Sequence, residues 1–513
     1  MRPLTFLLGL ATAIVVTANS ARNAAPDGYW YEQIKHNGIY TDTTNPKYLV
    51  YRNVRDFGAK GDGTTDDSAA IQKAINTADG STGTRSGASS YTGTPAVVYF
   101  PSGTYLLNTG LRNIMGTVLM GDPTNRPVLK AGSGFRDKVL LTGQATGTTG
   151  AYHTVVPPTY ADYPLARVLN VKTVPSHPVL GDGKTDDTAS LQAIITSAAQ
   201  ADQLLFFPQG TYILTDTLHL PPGSRLVGEA WTRLTPRGAK FKDAKKPRPM
   251  VRVGQPGDVG VAQMTDFLFY PAGSKEDVNL PGLVMVEVNM ASARPGDVGF
   301  FNSHFLMVGG TARLCAHFTE TASVYWENSW ATAQDNSVSG PGFGEHHVLY
   351  QLNIHNAKDV FVGLEQGEAP YWHGQGNTLL PPAPFANSLR PSDPDFSWCP
   401  ANDAKCRMAL YQYVTNSTGV NLYGGAFWNF RAGASQGLCT GDCQTNAVLY
   451  ENNQKLYSYG IGTINDKNMV LETGPGGNVK TVAAARDANF GSPLPGFTIH
   501  RPAFVAAYLR QGL

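Results

Sequence analysis

One segment of this chain is written twice, which limits the fold to architectures that reuse a single structural unit. The first copy runs Val54-Arg-Asp-Phe-Gly-Ala-Lys-Gly-Asp-Gly-Thr-Thr-Asp-Asp-Ser-Ala-Ala-Ile-Gln-Lys-Ala-Ile75 and resumes at Val97-Val-Tyr-Phe-Pro-Ser-Gly-Thr-Tyr105. The second runs Gly181-Asp-Gly-Lys-Thr-Asp-Asp-Thr-Ala-Ser-Leu-Gln-Ala-Ile-Ile195 and resumes at Leu205-Phe-Phe-Pro-Gln-Gly-Thr-Tyr212. The Gly-Asp-Gly strings lie 120 residues apart and the Phe-Pro-x-Gly-Thr-Tyr strings 107 apart, because the second copy lacks the Ser/Thr/Gly-rich stretch 80–93. Gly-Asp-Gly is turn chemistry. Thr-Asp-Asp is expected to supply helix-capping oxygens. Ala70, Ile71, Ala74 and Ile75 recur at helical spacing, as do Leu191, Ile194 and Ile195, so each copy predicts a helix with one apolar face. A helix followed by a short apolar strand and a turn fits a cover laid over the open end of a sheet stack, where unpaired edges need protection.

Short apolar runs follow at 348–354, 360–364, 409–414, 420–423, 447–450 and 469–471. They read as strands of stacked coils, each stable only on its neighbours. With 55 Gly, 34 Pro and 10% aromatics, the chain reads as all-β and turn-rich. Residues 21–50 read as an extended lead-in. Residues 1–20 read as a signal peptide, with Arg2, an apolar core at 4–16 and the small-residue site Ala18-Asn-Ser20. That core is too short to span a bilayer. A net charge of +1 with 15% charged residues argues against a nucleic-acid or membrane-surface protein, which would carry a basic patch.

The repeat resembles the opening segment of the pectate-lyase-superfamily β-helix. Two such openings in one chain resemble glycoside hydrolase family 55, the exo-β-1,3-glucanases built from tandem β-helices. Gly121-Asp-Pro-Thr-Asn125, Glu345-His-His-Val-Leu-Tyr-Gln351, Gln366-Gly-Glu-Ala-Pro-Tyr-Trp372, Asp393-Pro-Asp-Phe-Ser397 and the cysteine spacing near 439 also look like that family. The expected fold is therefore an all-β, right-handed parallel β-helix, pectin-lyase-like, in tandem with its first unit shortened. The expected organisation is a signal peptide (1–20), a truncated first unit (45–140), a Pro-rich linker (141–166) and a second unit (167–513). The family has a full first β-helix, for which this chain has no room between Phe135 and the linker.

Glycoside hydrolysis needs two carboxyls. Glu345 and Glu368 stand 23 residues apart in aromatic settings, close to one coil, where backbones are about 4.8 Å apart. The resemblance implies that Glu368 is the general acid, that Glu345 belongs to the water-side network, and that the anomeric configuration inverts. Glu365 is a rival, but an unbroken strand would turn it to the opposite face. Tyr371, Trp372 and Trp326 are candidate sugar platforms, with Gln366 beside the acid. Core packing is favoured for Trp428. Cys399 with Cys406 and Cys439 with Cys443 are the expected disulfides, with Cys315 buried. Asn416-Ser-Thr is the one sequon. His346 and His347 are adjacent and cannot share a metal on a strand, and the spacing of Asp62, Asp66 and Asp67 is not that of a calcium loop, so no metal and no cofactor are expected. The expected substrate is β-1,3-glucan, acted on by a secreted monomer. A pectin-active enzyme is the competing reading, although Asn-Thr-Asp, Gly-His-Gly and Arg-Ile-Lys are absent and Asp-Asp occurs only in the repeats. A truncated paralogue that binds glucan without turning it over is the third.

Overall fold

The computed structural model describes residues 28–43, 45–78, 85, 94–114, 116–133, 135, 155–243, 245–307, 311–312, 314–327, 330–333, 338–339, 349–363, 365–369, 393–400, 403, 405–429, 442–473, 479–483 and 502–510. The chain is a parallel β-helix. Among the described residues every strand pairing is parallel except the last two, where Gln454–Ile464 meets Pro502–Arg510 and Asp466–Thr473 meets Val479–Ala483.

Both copies of the repeat fold alike. Helix Ser68–Asn76 buries Ile71, Ala74 and Ile75, and helix Thr188–Gln200 buries Leu191, Ile194, Ile195 and Ala198. These apolar faces join the cores beneath them. The Tyr of each Pro-x-Gly-Thr-Tyr donates its hydroxyl to the carbonyl of the Pro four residues earlier, Tyr105 to Pro101 at 2.8 Å and Tyr212 to Pro208 at 2.6 Å. Its ring then lies against the Gly of Gly-Asp-Gly. Gly61 and Gly181 have φ of +63° and +58°, and a Cβ at Gly181 would come within 2.8 Å of the Tyr212 ring, so the position excludes a side chain on two counts.

The acidic pair works differently from the expectation. Asp67 and Asp187 precede the helices but make no side-chain cap bond. Their carboxylates reach back to the turn, accepting from the backbone N–H of Lys60 and Gly61 and of Leu180 and Gly181 at 2.6–3.0 Å. Asp66 and Asp186 accept the first helical N–H instead. One acid clamps the turn and the other serves the helix.

The first unit holds three rungs on two described sheets, Tyr51–Asn53 with Ala96–Phe100 and Thr117–Gly121, and Asp62–Asp66 with Thr104–Leu107 and Val128–Ala131. Its last rung leaves Leu119, Val128 and Leu129 46%, 53% and 50% exposed.

The lead-in is more than an extended strand. It forms the short helix Trp30–Gln33. Tyr29, Trp30 and Tyr31 are buried between strand Ala96–Phe100 of the first unit and strand Leu204–Phe207 of the second. His36 stacks on Tyr51 at 3.6 Å, while its ring nitrogens meet Glu229 at 2.6 Å and the Tyr31 carbonyl at 2.8 Å. The Pro-rich stretch before 167 also packs. Tyr160 and Tyr163 are buried, and Tyr160 donates to Gln263.

The predicted later strands form as Tyr350–His355, Lys358–Val362, Leu410–Thr415, Thr418–Trp428, Gln444–Glu451 and Asp466–Thr473. Two-residue corners turn the chain between the first two faces. Asn356, Asn416 and Asn452 occupy them at φ of 50–51°, a left-handed conformation that Asn tolerates better than most residues. Behind them, Ser417 Oγ accepts from Ala357 N, and Asn453 Oδ1 accepts from Ser417 N, each at 3.0 Å. Asn416, the sequon residue, is exposed at its corner. Cys399 is bonded to Cys406. Cys443 is in a disulfide, while Cys439 lies outside the described residues. Cys315 is a buried thiol, pushed up to about 12 by desolvation.

Candidate active site

The coils from Tyr350 onward have three faces. The chain runs along Tyr350–His355, turns at Asn356 into Lys358–Val362, bends again and runs along Glu365–Glu368. The next rung repeats the course at 410–428, with Gly424 at φ +73° making the second bend. Rungs differ mainly in the excursion that leaves the third face. Tyr350 pairs with Leu410, sixty residues on, whereas Val448 pairs with Val470, only twenty-two residues on. Glu368 is the last residue of its strand, at the mouth of the longest of these excursions.

The strand Glu365–Glu368 is unbroken and in parallel register with Gly425–Trp428, so its side chains alternate. Glu365 and Gly367 share the inward face, with Gly367 buried and Glu365 half-buried, one of its oxygens sealed from solvent. Gln366 is exposed and Glu368 half-buried. Glu368 is in register with Trp428, and Trp428 with Ile464. Trp428 is half-buried beside the acid rather than in the core. Its neighbour Phe427 takes the core position, 1% exposed and stacked on Tyr411 at 4.8 Å. The backbone then locks again, with Ala369 N donating to Trp428 O at 3.0 Å.

Beneath Glu368 the coil interior is unusually polar. Glu365 Oε2 accepts from Gln412 at 2.7 Å, and Gln412 Oε1 accepts from Tyr450 at 2.7 Å. The other Glu365 oxygen is sealed from solvent without a hydrogen bond, and desolvation raises this carboxyl to about 8. Asp466 is 1% exposed, and desolvation outweighs the neighbouring Asn429 amide to hold it well above the usual carboxylate range. Tyr411 is fully buried, and desolvation raises its phenol well above the ordinary value. A buried carboxyl without partners avoids the charging penalty by keeping its proton. Among the described residues of this strand, Glu368 is thus the carboxyl on the outer side, over two carboxyls that desolvation keeps protonated. Glu365, the rival in the sequence, alternates to the opposite face of the strand from Glu368. Sequence reading missed Asp466 and Tyr411, because a polar residue at an inward position leaves the period-two pattern unchanged in appearance.

The other sequence candidates divide. Trp326 lies on a different part of the helix, packed on Phe305 at 4.7 Å, Phe300 at 5.1 Å and Phe318 at 5.3 Å. It sits as an edge of the hydrophobic core. Glu345, His346, His347, Tyr371 and Trp372 lie outside the described residues. Among the described residues no group of three His, Cys, Asp or Glu side chains is placed to hold a metal ion.

A family described as rhamnogalacturonase A/epimerase, pectate lyase-like, matches residues 51–160 and 169–245. A glucan endo-1,3-beta-glucosidase of Trichoderma harzianum is 36% identical over 345 residues, covering 58% of this chain and 44% of that protein. A probable glucan endo-1,3-beta-glucosidase of Arthroderma benhamiae is 33% identical over 371 residues, covering 62% and 40%. The chain thus spans less than half the length of these two relatives. A glucan 1,3-beta-glucosidase of Cochliobolus carbonum is 23% identical over 749 aligned positions, covering 89% of this chain and 92% of that protein. Among solved structures, sacteLam55A of Streptomyces sp. SirexAA-E matches at 13% identity and a TM-score of 0.36, covering 62% of this chain and 53% of that one.

Proposed function

We propose that the chain is a secreted glycoside hydrolase that releases glucose from β-1,3-glucan by a single inverting displacement. Glu368 is the general acid, and Glu345 helps hold the attacking water. The observation that carries this reading is the position of Glu368, an outward carboxyl at the end of a rigid strand, beside Trp428 and at the mouth of the longest excursion. An acid so held can protonate a glycosidic oxygen while water attacks from the opposite face. Inversion needs carboxyls about 6.5–9.5 Å apart, and Glu345 with Glu368 is the pair proposed to meet that requirement. Three relatives named as glucan 1,3-beta-glucosidases support the substrate class. The release of single glucose units rests on the family resemblance of the sequence, since two of these relatives are named endo-1,3-beta-glucosidases. Incubation with laminarin tests this directly. Free glucose as the first product supports the exo reading, and a ladder of oligosaccharides would sink it.

The match of residues 51–160 and 169–245 to a family named for rhamnogalacturonase favours a second reading, a pectin-active enzyme. That match ends before Glu368. Release of uronic acids from polygalacturonate, with none of glucose from laminarin, would replace the first reading by the second.

The three-rung first unit carries its own expected result. Exposed Leu119, Val128 and Leu129 on its last rung are where further coils would stack. Such coils would build the facing wall of the cleft and help position the water. Positioning can supply up to about 7–11 kcal/mol. Inserting coils from a longer relative between residues 135 and 155 is therefore expected to raise kcat on laminarin at least about a hundredfold. Equal kcat in the two chains would show the segment to be dispensable.

A further inference from the structure

The net charge of +1 averages over a strong local excess. Residues 237–252 hold four lysines and three arginines against the single acid Asp243, so the sequence-level reading that took low net charge as the absence of a basic patch is corrected here. Acids from elsewhere answer part of the excess. Asp216 pairs with both Lys240 and Arg248 at 2.5 Å, Glu287 with Arg252 at 3.0 Å, and Asp277 with Arg237 at 3.8 Å. Lys242, Lys245 and Lys246 are exposed and make no ion pair among the described residues. Lys246 lines a depression of about 230 Å³ together with Thr217, Pro247, Arg248, Pro249 and Arg252, and Lys242 and Lys245 precede it along the chain. Its floor is rigid, since strand Arg248–Val253 lies between Leu218–Leu220 and Leu283–Val288 in a parallel sheet.

We propose that this face is a binding site for an acidic polysaccharide, with sugar carboxylates taken by Lys246 and Arg248 and the chain running on past Lys242 and Lys245. Arg248 spends one nitrogen on Asp216, and a guanidinium carries five donors, so it retains N–H groups for a second carboxylate. Single-stranded nucleic acid would require aromatic faces for base stacking. No aromatic residue lines the depression, and Phe241, the one aromatic in the segment, is fully buried. A membrane surface would require exposed apolar side chains beside the cations, and no large hydrophobic residue of 237–252 is exposed. A carboxylated sugar chain needs only spaced cations in a polar channel. The site is independent of Glu368 and does not rest on the hydrolase reading.

The probe is immobilised polygalacturonate, with neutral laminarin, duplex DNA and phosphatidylserine vesicles in parallel. The wild-type chain is expected to bind polygalacturonate at low salt and to release as salt screens the contacts. Replacing Lys242, Lys245 and Lys246 together by Glu is expected to weaken binding tenfold or more. The same replacement at Lys60, Lys130 and Lys358, exposed lysines elsewhere, is expected to weaken it less than threefold. Thermal melting confirms that both triples fold, and Lys245→Ala with Lys246→Ala replaces the first triple if it does not. Absence of binding, equal loss in the two triples, or tighter binding to DNA or vesicles than to polygalacturonate would each overturn the proposal.

Discussion

Glu368→Gln is expected to leave folding unchanged and to lower laminarin turnover by a hundredfold or more, since loss of a general acid removes about 10²–10⁴ in rate. The amide is nearly isosteric. It sits at an outward position whose neighbours are held by backbone bonds, Ala369 to Trp428 and the register of Glu365–Glu368 with Gly425–Trp428. The core beneath, from Phe427 to Tyr411, does not depend on its charge. A fall in kcat with an unchanged melting temperature is the expected pair of results. A variant that keeps more than about a tenth of the wild-type rate would remove Glu368 from the general-acid role. Glu365→Gln is the matched control. It changes an inward carboxyl bonded to Gln412 and is expected to leave the chemical step nearly intact.

The same buried acids predict a large effect of pH on stability. Desolvation raises Glu365 to about 8, Asp266 to about 7, and Asp466 well above its ordinary value. Each holds a proton in the native state that the unfolded chain has already released, so its contribution is present at low pH and is lost as pH rises toward the folded value. Three histidines act in the opposite direction below their ordinary value. Burial lowers His304 to about 4 and also lowers His219 and His355, so their charging in the unfolded chain favours unfolding as pH falls from about 6.5. Above about pH 7 the histidines are mostly neutral in both states, and the acids are opposed chiefly by Lys172, which burial lowers to about 8. With Glu365 and Asp466 still protonated in the native state, stability is expected to fall as pH rises from about 7, less steeply as Glu365 begins to ionise. Urea unfolding at pH 6.5, 7.2 and 8.0 measures it. Glu365→Gln keeps the shape, removes one titration, and is expected to flatten the slope. Stability that is flat or rising from pH 7.2 to 8.0, or a slope unchanged in the variant, would contradict the protonated interior.

The fold was legible because the repeat carries its own geometry. Gly61 and Gly181 need positive φ, Tyr105 and Tyr212 close over them, and the helices follow with apolar faces in register. The later strands were legible from apolar runs such as 409–414 and 447–450. Their corners were less so, although Asn356, Asn416 and Asn452 share a left-handed position that a search for recurring Asn before small or polar residues could have found. The seam built by Tyr29, Trp30 and Tyr31 was not legible, because an aromatic cluster has no period and its partners lie far along the chain at Tyr99 and Phe206. At the site, alternation assigned Glu365 and Glu368 to opposite faces. It could not mark Asp466, which becomes a neighbour of Tyr411 only when rungs stack. Trp428 was assigned to the core as large aromatics usually are, but a shift of one residue gives that place to Phe427. The basic face was hidden by averaging, since a net charge over 513 residues does not register a local excess in sixteen.

The most direct measurement is proton NMR of the first products formed from laminarin, run beside polygalacturonate. Free glucose appearing first as the α anomer, with no uronic acid released, is the expected result for inverting hydrolysis of β-1,3-glucan. Glucose appearing first as the β anomer, or uronic acid released in its place, would contradict it.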